Sequence, residues 1–299
     1  NKMNRRDFAS ILGASLLIPS LSKGSSIARE KPFELNYAPH FGMFKNHAGP
    51  SELDQLQFMY DQGFTALEDN ELMGRPVALQ EKIGEKLAKL NMKMGVFVIK
   101  FDGFFDKQTM TTGKKEWTDL FLASCRKAVE TSKRVNAKWA TVVPGNFTRE
   151  LPMGIQTGNV IDNLKRAVEI LEPAGLTMVL EPLSDNSDLF LRYSDQTYSI
   201  CRAVDSPSCK ILFDIYHMQR NEGNLIANMD KCWNEIAYIQ IGDNPGRKEP
   251  TTGEVNYQHI FRHLKQKGYS GVLGMEHGNS KPGKEGETAL IEAYRKSDV

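Results

Sequence analysis

Four apolar runs in the second half of this chain each end in an oxygen-bearing side chain. They read Met178-Val179-Leu180-Glu181, Ile211-Leu212-Phe213-Asp214, Tyr238-Ile239-Gln240 and Val272-Leu273-Gly274-Met275-Glu276. A carboxylate closing a buried strand is costly unless it is paired or bound to a metal. Three acids and an amide on neighbouring strand ends would repel one another by roughly 4 kcal/mol per close acid pair at intermediate dielectric. A divalent cation removes that repulsion. Oxygen donors without Cys or His among the four suit Mn²⁺ or Mg²⁺ first, with Zn²⁺ or Co²⁺ as alternatives. Each residue alone also has a structural reading: Glu181 or Asp214 as a helix cap, Gln240 satisfying a loop, Glu276 in an ion pair. Four in register make the joint functional reading the better one.

Such strand ends need a scaffold that aims them at one point. Strands are expected at Phe33–Ala38, Ala66–Glu68, Met94–Ile99, Ala140–Val143, Met178–Glu181, Ile211–Asp214, Ala237–Ile241 and Val272–Met275. Helical spacing separates them, over Glu52–Gln62, Leu79–Leu90, Glu116–Asn136, Thr157–Pro173, Asp195–Ala203, Leu225–Trp233, Tyr257–Gln266 and Glu285–Arg295. Gly63, Gly175 and Gly268 stand where helices should end. Eight alternations predict parallel β-α-β units, and the roughly 270 residues after position 30 fit a single (β/α)₈ TIM barrel. An open doubly wound sheet would want a glycine-rich turn after its first strand, where this chain has Tyr37-Ala38-Pro39-His40-Phe41-Gly42. In a barrel the βα loops at the strand ends form the active site.

The bulk numbers remove other classes. The 299 residues are 40% hydrophobic and 25% charged, with 38 Lys+Arg against 37 Asp+Glu for a net charge of +1. A balanced surface does not recruit nucleic acid by its field, so no nucleic-acid partner is expected. The four cysteines form no CxxC pair and read as packed thiols, although Cys201 and Cys209 could bridge in an exported protein. Residues 1–30 read as an address and linker, and 31–299 as the barrel domain. Asn4-Arg5-Arg6-Asp7-Phe8 precedes the apolar run Ala9–Leu21 and the small-residue site Ser26-Ile27-Ala28. That run is too short to span a bilayer, so stable membrane insertion of the mature chain is not expected. A basic start, a short apolar stretch and paired arginines describe a twin-arginine signal and periplasmic export, with a packed amphipathic helix as the alternative.

The strand-end segments resemble the hydroxypyruvate isomerase family of the xylose isomerase-like barrels. The likeness is densest from Leu180 to Gly278. It rests on Leu180-Glu181-Pro182-Leu183, on Phe213-Asp214-Ile215-Tyr216-His217-Met218-Gln219, and on Asp243-Asn244-Pro245-Gly246-Arg247 with Glu249-Pro250 and Thr252-Gly253-Glu254-Val255-Asn256-Tyr257. The first half matches only in pattern. The resemblance implies metal ligation by Glu181, Asp214, Gln240 and Glu276, catalysis by Glu181 and Glu276, and substrate contacts from His217 and Arg247. It implies an aldose–ketose type isomerisation in which a proton leaves the carbon beside a carbonyl and returns to its neighbour, through an enediolate.

For hydroxypyruvate, Arg247 would clamp the carboxylate. His217 reads equally as a loop histidine capping the next helix, and Arg247 as a solvated surface residue. Glu68, at the end of the second strand, could contact substrate or be structural. Glu254 could orient Arg247, and His40 and Trp117 could line the mouth. Lys114-Lys115 reads as a solvated helix start. Alternatives within the fold are a ketose 3-epimerase or a larger-sugar isomerase. A metal-dependent phosphodiesterase would want a histidine-rich cluster, and only six histidines occur. A periplasmic sugar-binding protein without catalysis would not need both glutamates. The expected partner is a small sugar or sugar acid, and homo-oligomers are expected by analogy with barrels of this kind.

Overall fold

The computed structural model describes residues 28–299. The signal-peptide and linker reading covers residues 1–30, of which 1–27 lie outside the described residues. Nine strands and ten α-helices are formed among the described residues. In chain order they are β1 (Asn36–Ala38), α1 (Lys45–Ala48), α2 (Glu52–Asp61), β2 (Ala66–Leu67), α3 (Val77–Leu90), β3 (Lys93–Met94), β4 (Phe97–Val98), α4 (Lys115–Val135), β5 (Trp139–Val142) and α5 (Met153–Leu171). There follow β6 (Thr177–Leu180), α6 (Ser194–Val204), β7 (Cys209–Asp214), α7 (Ile215–Asn221), α8 (Leu225–Cys232), β8 (Ile236–Ile241), α9 (Tyr257–Gln266), β9 (Val272–Met275) and α10 (Gly283–Ser297).

All strand pairings are parallel. Seven strands run in the order β1-β9-β8-β7-β6-β5-β4, and β2 pairs with β3. Two features turn this sheet into a closed barrel of eight staves. A single bridge between His40 and Glu68 joins the β1 and β2 staves, supported by the Glu68 N–H donating to Pro39 O at 3.0 Å. The stave read from sequence as Met94–Ile99 is broken at Gly95 into β3 and β4. There the Val96 N–H donates to the Tyr238 hydroxyl at 3.2 Å, and a Cβ at position 95 would lie 2.3 Å from that hydroxyl.

The barrel interior is filled by Ala38, Ala66, Val96, Val179, Leu212, Tyr238 and Val272, all with no solvent exposure. A larger apolar layer lies between staves and helices, and it takes its residues from one face of each helix. Leu56 and Met59 of α2, Ile83 and Leu87 of α3, and Leu164 and Ala167 of α5 are buried at the helical spacing expected of an amphipathic stripe. Gly63, Gly175 and Gly268 all take positive φ beyond a helix or turn, as their placement predicted. Asn91, Asn136 and Asp205 do the same work at the ends of α3, α4 and α6. Lys115 starts α4 and is exposed, as read from sequence. No helix among the described residues is long and apolar enough to cross a membrane. All four cysteines are buried and free, so the Cys201–Cys209 bridge is not formed.

Two helices depart from the sequence reading, the short α1 (Lys45–Ala48) and α7. The sequence predicts a loop over Ile215–Asn221, but it is helical from the residue after Asp214. Asp214 is its N-cap, accepting from the Tyr216 N–H at 2.8 Å. His217 therefore sits in the first turn of a helix rather than in a loop.

Candidate active site

Strand register brings the acids together. Asp214 lies directly across from Gln240, and Gln240 from Gly274. Gly274 leaves space at that level: a Cβ there would be 1.7 Å from Glu68 Oε2. Glu68 fills the space from the end of β2, two staves away across β1, and has no solvent exposure. It accepts from the Tyr238 hydroxyl at 2.6 Å and from Gln240 Nε2 at 2.8 Å, and His40 Nε2 stands 2.7 Å from its Oε1. Glu68 thus lies beneath the cleft as a hub, and its placement favours the structural of its two sequence readings.

The other acids divide into two neighbouring groups. Glu181, Asp214 and His217 offer ligand atoms within 4.8 Å of one another, and so do His40, Glu68 and Glu276. His40 Nε2 is 3.0 Å from Glu276 Oε2, and Asn70 Nδ2 donates to both Glu276 oxygens at 3.1 Å. Arg247 lies between the groups. Its Nη2 stands 3.5 Å from Asp214 Oδ2 and 3.9 Å from Glu276 Oε1, and its guanidinium is 4.7 Å over the Tyr216 ring. Glu181 and Glu276 share the wall of one cleft of about 220 Å³ with Asn70, Asp185, His217 and Arg247. Phe104, Phe105 and Leu183 supply its apolar side. His40, Arg247 and Glu276 also line an adjoining opening of about 320 Å³.

Burial and charge set the protonation of these groups. Burial pushes the Glu181 carboxyl well above its usual range, and the neighbouring Asp214 and Glu276 push it further. Burial also lifts Asp214, to about 7, against the opposing pull of Arg247. Glu276 goes the other way. Burial would raise it, but His40, a hydrogen bond from Glu68 and the charge of Arg247 outweigh burial and hold it below the ordinary value. Burial would lower His40, yet Glu276 and Glu68 raise it well above the usual imidazole value. Burial and then Arg247 depress His217 to about 3.

His217 is therefore neutral at ordinary pH, and its tautomer follows from its partners. The Ser184 backbone N–H donates to Nδ1 at 3.1 Å, so the ring proton belongs on Nε2. That Nε2 faces the cleft, 3.6 Å from Asp214, 3.7 Å from Glu181 and 3.8 Å from Asp185. Arg247 Nη2 stands 3.2 Å from the same nitrogen. Two proton-bearing nitrogens so close point jointly at a position suited to an electron-rich oxygen.

The long motif after β8 builds the loop that aims Arg247. Asp243 accepts from the N–H groups of Asn244, Gly253 and Val255. Gly253 is required by a close approach, since a Cβ would lie 1.8 Å from Asn244 O. Glu249 ties the loop to Ser280. The Asn244–Pro245 bond is cis. Arg247 Nε donates to Glu276 O at 3.2 Å, and this contact orients it; Glu254 instead meets Gln219 at 3.5 Å, which corrects its expected role. His40 lines the mouth as expected, whereas Trp117 is not on the cleft wall. Sequence reasoning missed Asn70, Tyr238, Ser184 and Asp185. Only Tyr238 carried a signal: it alternates with Gln240 along β8 and so shares its inward face.

Two buried atoms of the sequence-read ligand set, Asp214 Oδ2 and Gln240 Oε1, have no hydrogen-bond partner. Buried oxygens of this kind are rare and ask for a donor or a cation. Glu181, Asp214, Gln240 and Glu276 carry oxygen donors of the kind that would suit a divalent ion; among the described residues Glu181 and Asp214 share one potential ligand group and Glu276 belongs to the other.

Comparison with known proteins places this site in context. Hydroxypyruvate isomerase of Escherichia coli is 35% identical over 120 residues, which are 40% of this chain and 46% of that protein. The chain thus spans about half the length of that relative. The 2-oxo-tetronate isomerase of Pectobacterium atrosepticum is 26% identical over 227 residues, 75% of this chain and 86% of the relative. An AP endonuclease of family 2 from Brucella melitensis shares the fold with a TM-score of 0.74 at 20% identity, over 86% of this chain and 98% of its own. A 3-keto-D-glucoside 4-epimerase from E. coli shares it with a TM-score of 0.73 at 18% identity, over 88% of this chain and all of its own. At these identities the two structures establish fold alone. The family model described as xylose isomerase-like TIM barrel matches residues 56–297, and the chain belongs to that family.

Proposed function

We propose that this protein is a metal-dependent isomerase of small α-hydroxy carbonyl compounds of the sugar type, working by proton transfer through an enediolate. The observation that carries the reading is the pair of buried acceptors without hydrogen-bond partners, Asp214 Oδ2 and Gln240 Oε1, side by side on adjacent strands, with Asp214 in one ligand group with Glu181. The names of the two relatives support the reaction class.

In this reading Glu181, Asp214, Gln240 and Glu276 hold one divalent ion, Mn²⁺ or Mg²⁺ first. Bound there, it supplies Lewis-acid stabilisation of the charge that develops on two substrate oxygens. Glu276 is the base. His40 and Asn70 hold its carboxylate ionised and oriented, so it can take the proton beside the carbonyl. Glu181, ionised while it holds the ion, faces the adjacent carbon and passes to it the proton that Glu276 took; the substrate's hydroxyl proton moves to the former carbonyl oxygen, so the enzyme ends as it began. His217 donates its Nε2 proton to a substrate oxygen, and Ser184 fixes its tautomer. Arg247 places positive charge beside the same oxygen. Leu183, Phe104 and Phe105 exclude water from one side of the intermediate.

A phosphodiesterase is less well supported, because each acidic cluster contains a single histidine. We also propose that the chain acts after twin-arginine export.

The test is solvent exchange. Mn²⁺-loaded protein in D₂O is incubated with hydroxypyruvate, L-erythrulose or D-fructose and followed by NMR. Deuterium entry beside the carbonyl, lost in Glu276→Gln, supports enolisation. No exchange with any of the three, or undiminished exchange in Glu276→Gln, refutes it.

A further inference from the structure

The cleft wall holds one charged residue that the proposed chemistry leaves without a task. Glu71 and Lys100 answer each other at 2.5 Å on its rim. Glu181 and Glu276 are the reacting acids. Asp185 remains, on the loop after β6. Its Oδ1 is 3.8 Å from Arg247 Nη1, its Oδ2 is 3.8 Å from His217 Nε2, and its side chain is 35% exposed. Neither distance is a hydrogen bond. Both oxygens keep their capacity to accept, and they border the cleft.

The charge of Asp185 bears on Arg247. The other acids near that guanidinium, Asp214 at 3.5 Å and Glu276 at 3.9 Å, are read above as ligands of the ion, whose positive charge would answer theirs. Asp185 has no such engagement and answers Arg247 one for one. A substrate carboxylate approaching Arg247 would therefore meet a fixed negative charge at a similar distance, and the attraction of the clamp would be cancelled. A hydroxyl in the same place would find an acceptor in Asp185 and donors in Arg247 and His217. Opposite them, Phe104 and Phe105 pack 6.2 Å apart, centroid to centroid, and Phe105 is 36% exposed, an apolar surface for a face of C–H groups. The adjoining opening shared through Arg247 and Glu276 gives room beyond three carbons.

We propose that Asp185 sets the substrate class, so that the cleft takes a neutral polyhydroxylated carbonyl compound in preference to a 2-oxo acid. This rests on the isomerase reading above for the reaction, and on Asp185 and Arg247 for the selectivity. The chain would then differ in substrate from the relatives whose names specify oxo acids.

The experiment compares full-length, Mn²⁺-loaded protein with Asp185→Asn, which keeps shape and removes charge. Asp185→Ser serves as a second variant should Asn perturb folding, monitored by circular dichroism. Turnover of D-fructose, D-tagatose and L-erythrulose is set against hydroxypyruvate, and binding of the unreactive dicarboxylate tartronate is measured by calorimetry. The wild type should prefer at least one neutral ketose over hydroxypyruvate by about tenfold in kcat/KM. Asp185→Asn should tighten tartronate and lower the hydroxypyruvate KM by about tenfold, with kcat nearly unchanged, while raising the KM for the ketose. Unchanged tartronate affinity in Asp185→Asn, or a wild type that prefers hydroxypyruvate tenfold, overturns the proposal. Tighter tartronate binding without turnover of any compound would sink the isomerase reading and leave the selectivity of the site standing.

Discussion

Replacing Gln240 by leucine separates a metal ligand from a structural amide. The side chain is 2% exposed; its Nε2 donates to Glu68 at 2.8 Å, and its Oε1 has no partner. Leucine removes a hydrogen bond to a carboxylate worth about 1.5–3 kcal/mol, and with it a buried orphan acceptor that costs about 1–3 kcal/mol. These nearly cancel, so EDTA-treated Gln240→Leu should unfold within about 1 kcal/mol of the wild type. Mn²⁺ should distinguish them. At a hundred times its dissociation constant a cation stabilises the native state by about 2.7 kcal/mol, and a site weakened a hundredfold retains about 0.4 kcal/mol at the same concentration. With about 2–4 °C per kcal/mol for a chain near this size, the Mn²⁺-induced rise in Tm should fall from roughly 5–10 °C to about 1 °C. Differential scanning fluorimetry with and without Mn²⁺ reads this directly. An equal rise in both proteins would show that Oε1 is not a ligand and that its lack of a partner has another origin.

Four further outcomes are expected. Metal affinity should rise with pH: Glu181 is held well above its usual range and Asp214 near 7, so protons compete with the cation below neutrality, and calorimetry in two buffers should detect proton release on binding. Glu287→Gln should destabilise by about 1.5–3 kcal/mol at pH 7, because Glu287 accepts from Asn46 and His47 at the start of α1. Burial raises that carboxyl, but these donors outweigh it and leave it below 4.5; the wild-type advantage should therefore be complete above that value and vanish as pH falls through the folded value, as urea midpoints would show. Gly253→Ala should force the Arg247 loop away from Asn244 and cost about 1–3 kcal/mol, with a raised KM in the exchange assay. Replacement of Arg5-Arg6 by Lys-Lys in the full chain should retain the protein in the cytoplasm, which cell fractionation would reveal.

Much of the barrel was legible because its signals are local. Apolar runs with period-breaking glycines mark the staves, and each acid at the end of a run is visible as a chemical oddity. What was not legible depends on contacts between distant segments. The helix after Asp214 begins without any linker, so the same aspartate that reads as a strand end is also a cap. Glycine at position 95 leaves room for the hydroxyl of a tyrosine 143 positions later. Asp185, Asn70 and Ser184 lie in loops whose paths carry no periodicity, and their roles arise only from what the folded barrel sets beside them.

The hub at Glu68 has a consequence for the stability of the ring itself. Main-chain pairing around the barrel is thinnest where β1 meets β2, at one bridge, and β2 meets β3 at two residues, as β4 meets β5. Glu68, reaching over Gly274 to Tyr238 and Gln240, fastens that seam to the far wall through side chains alone. Closure of the cylinder and assembly of the acid cluster are thus a single event. Amide exchange in residues 66–69 should be the first to quicken when the glutamate is neutralised by mutation, before the helices loosen.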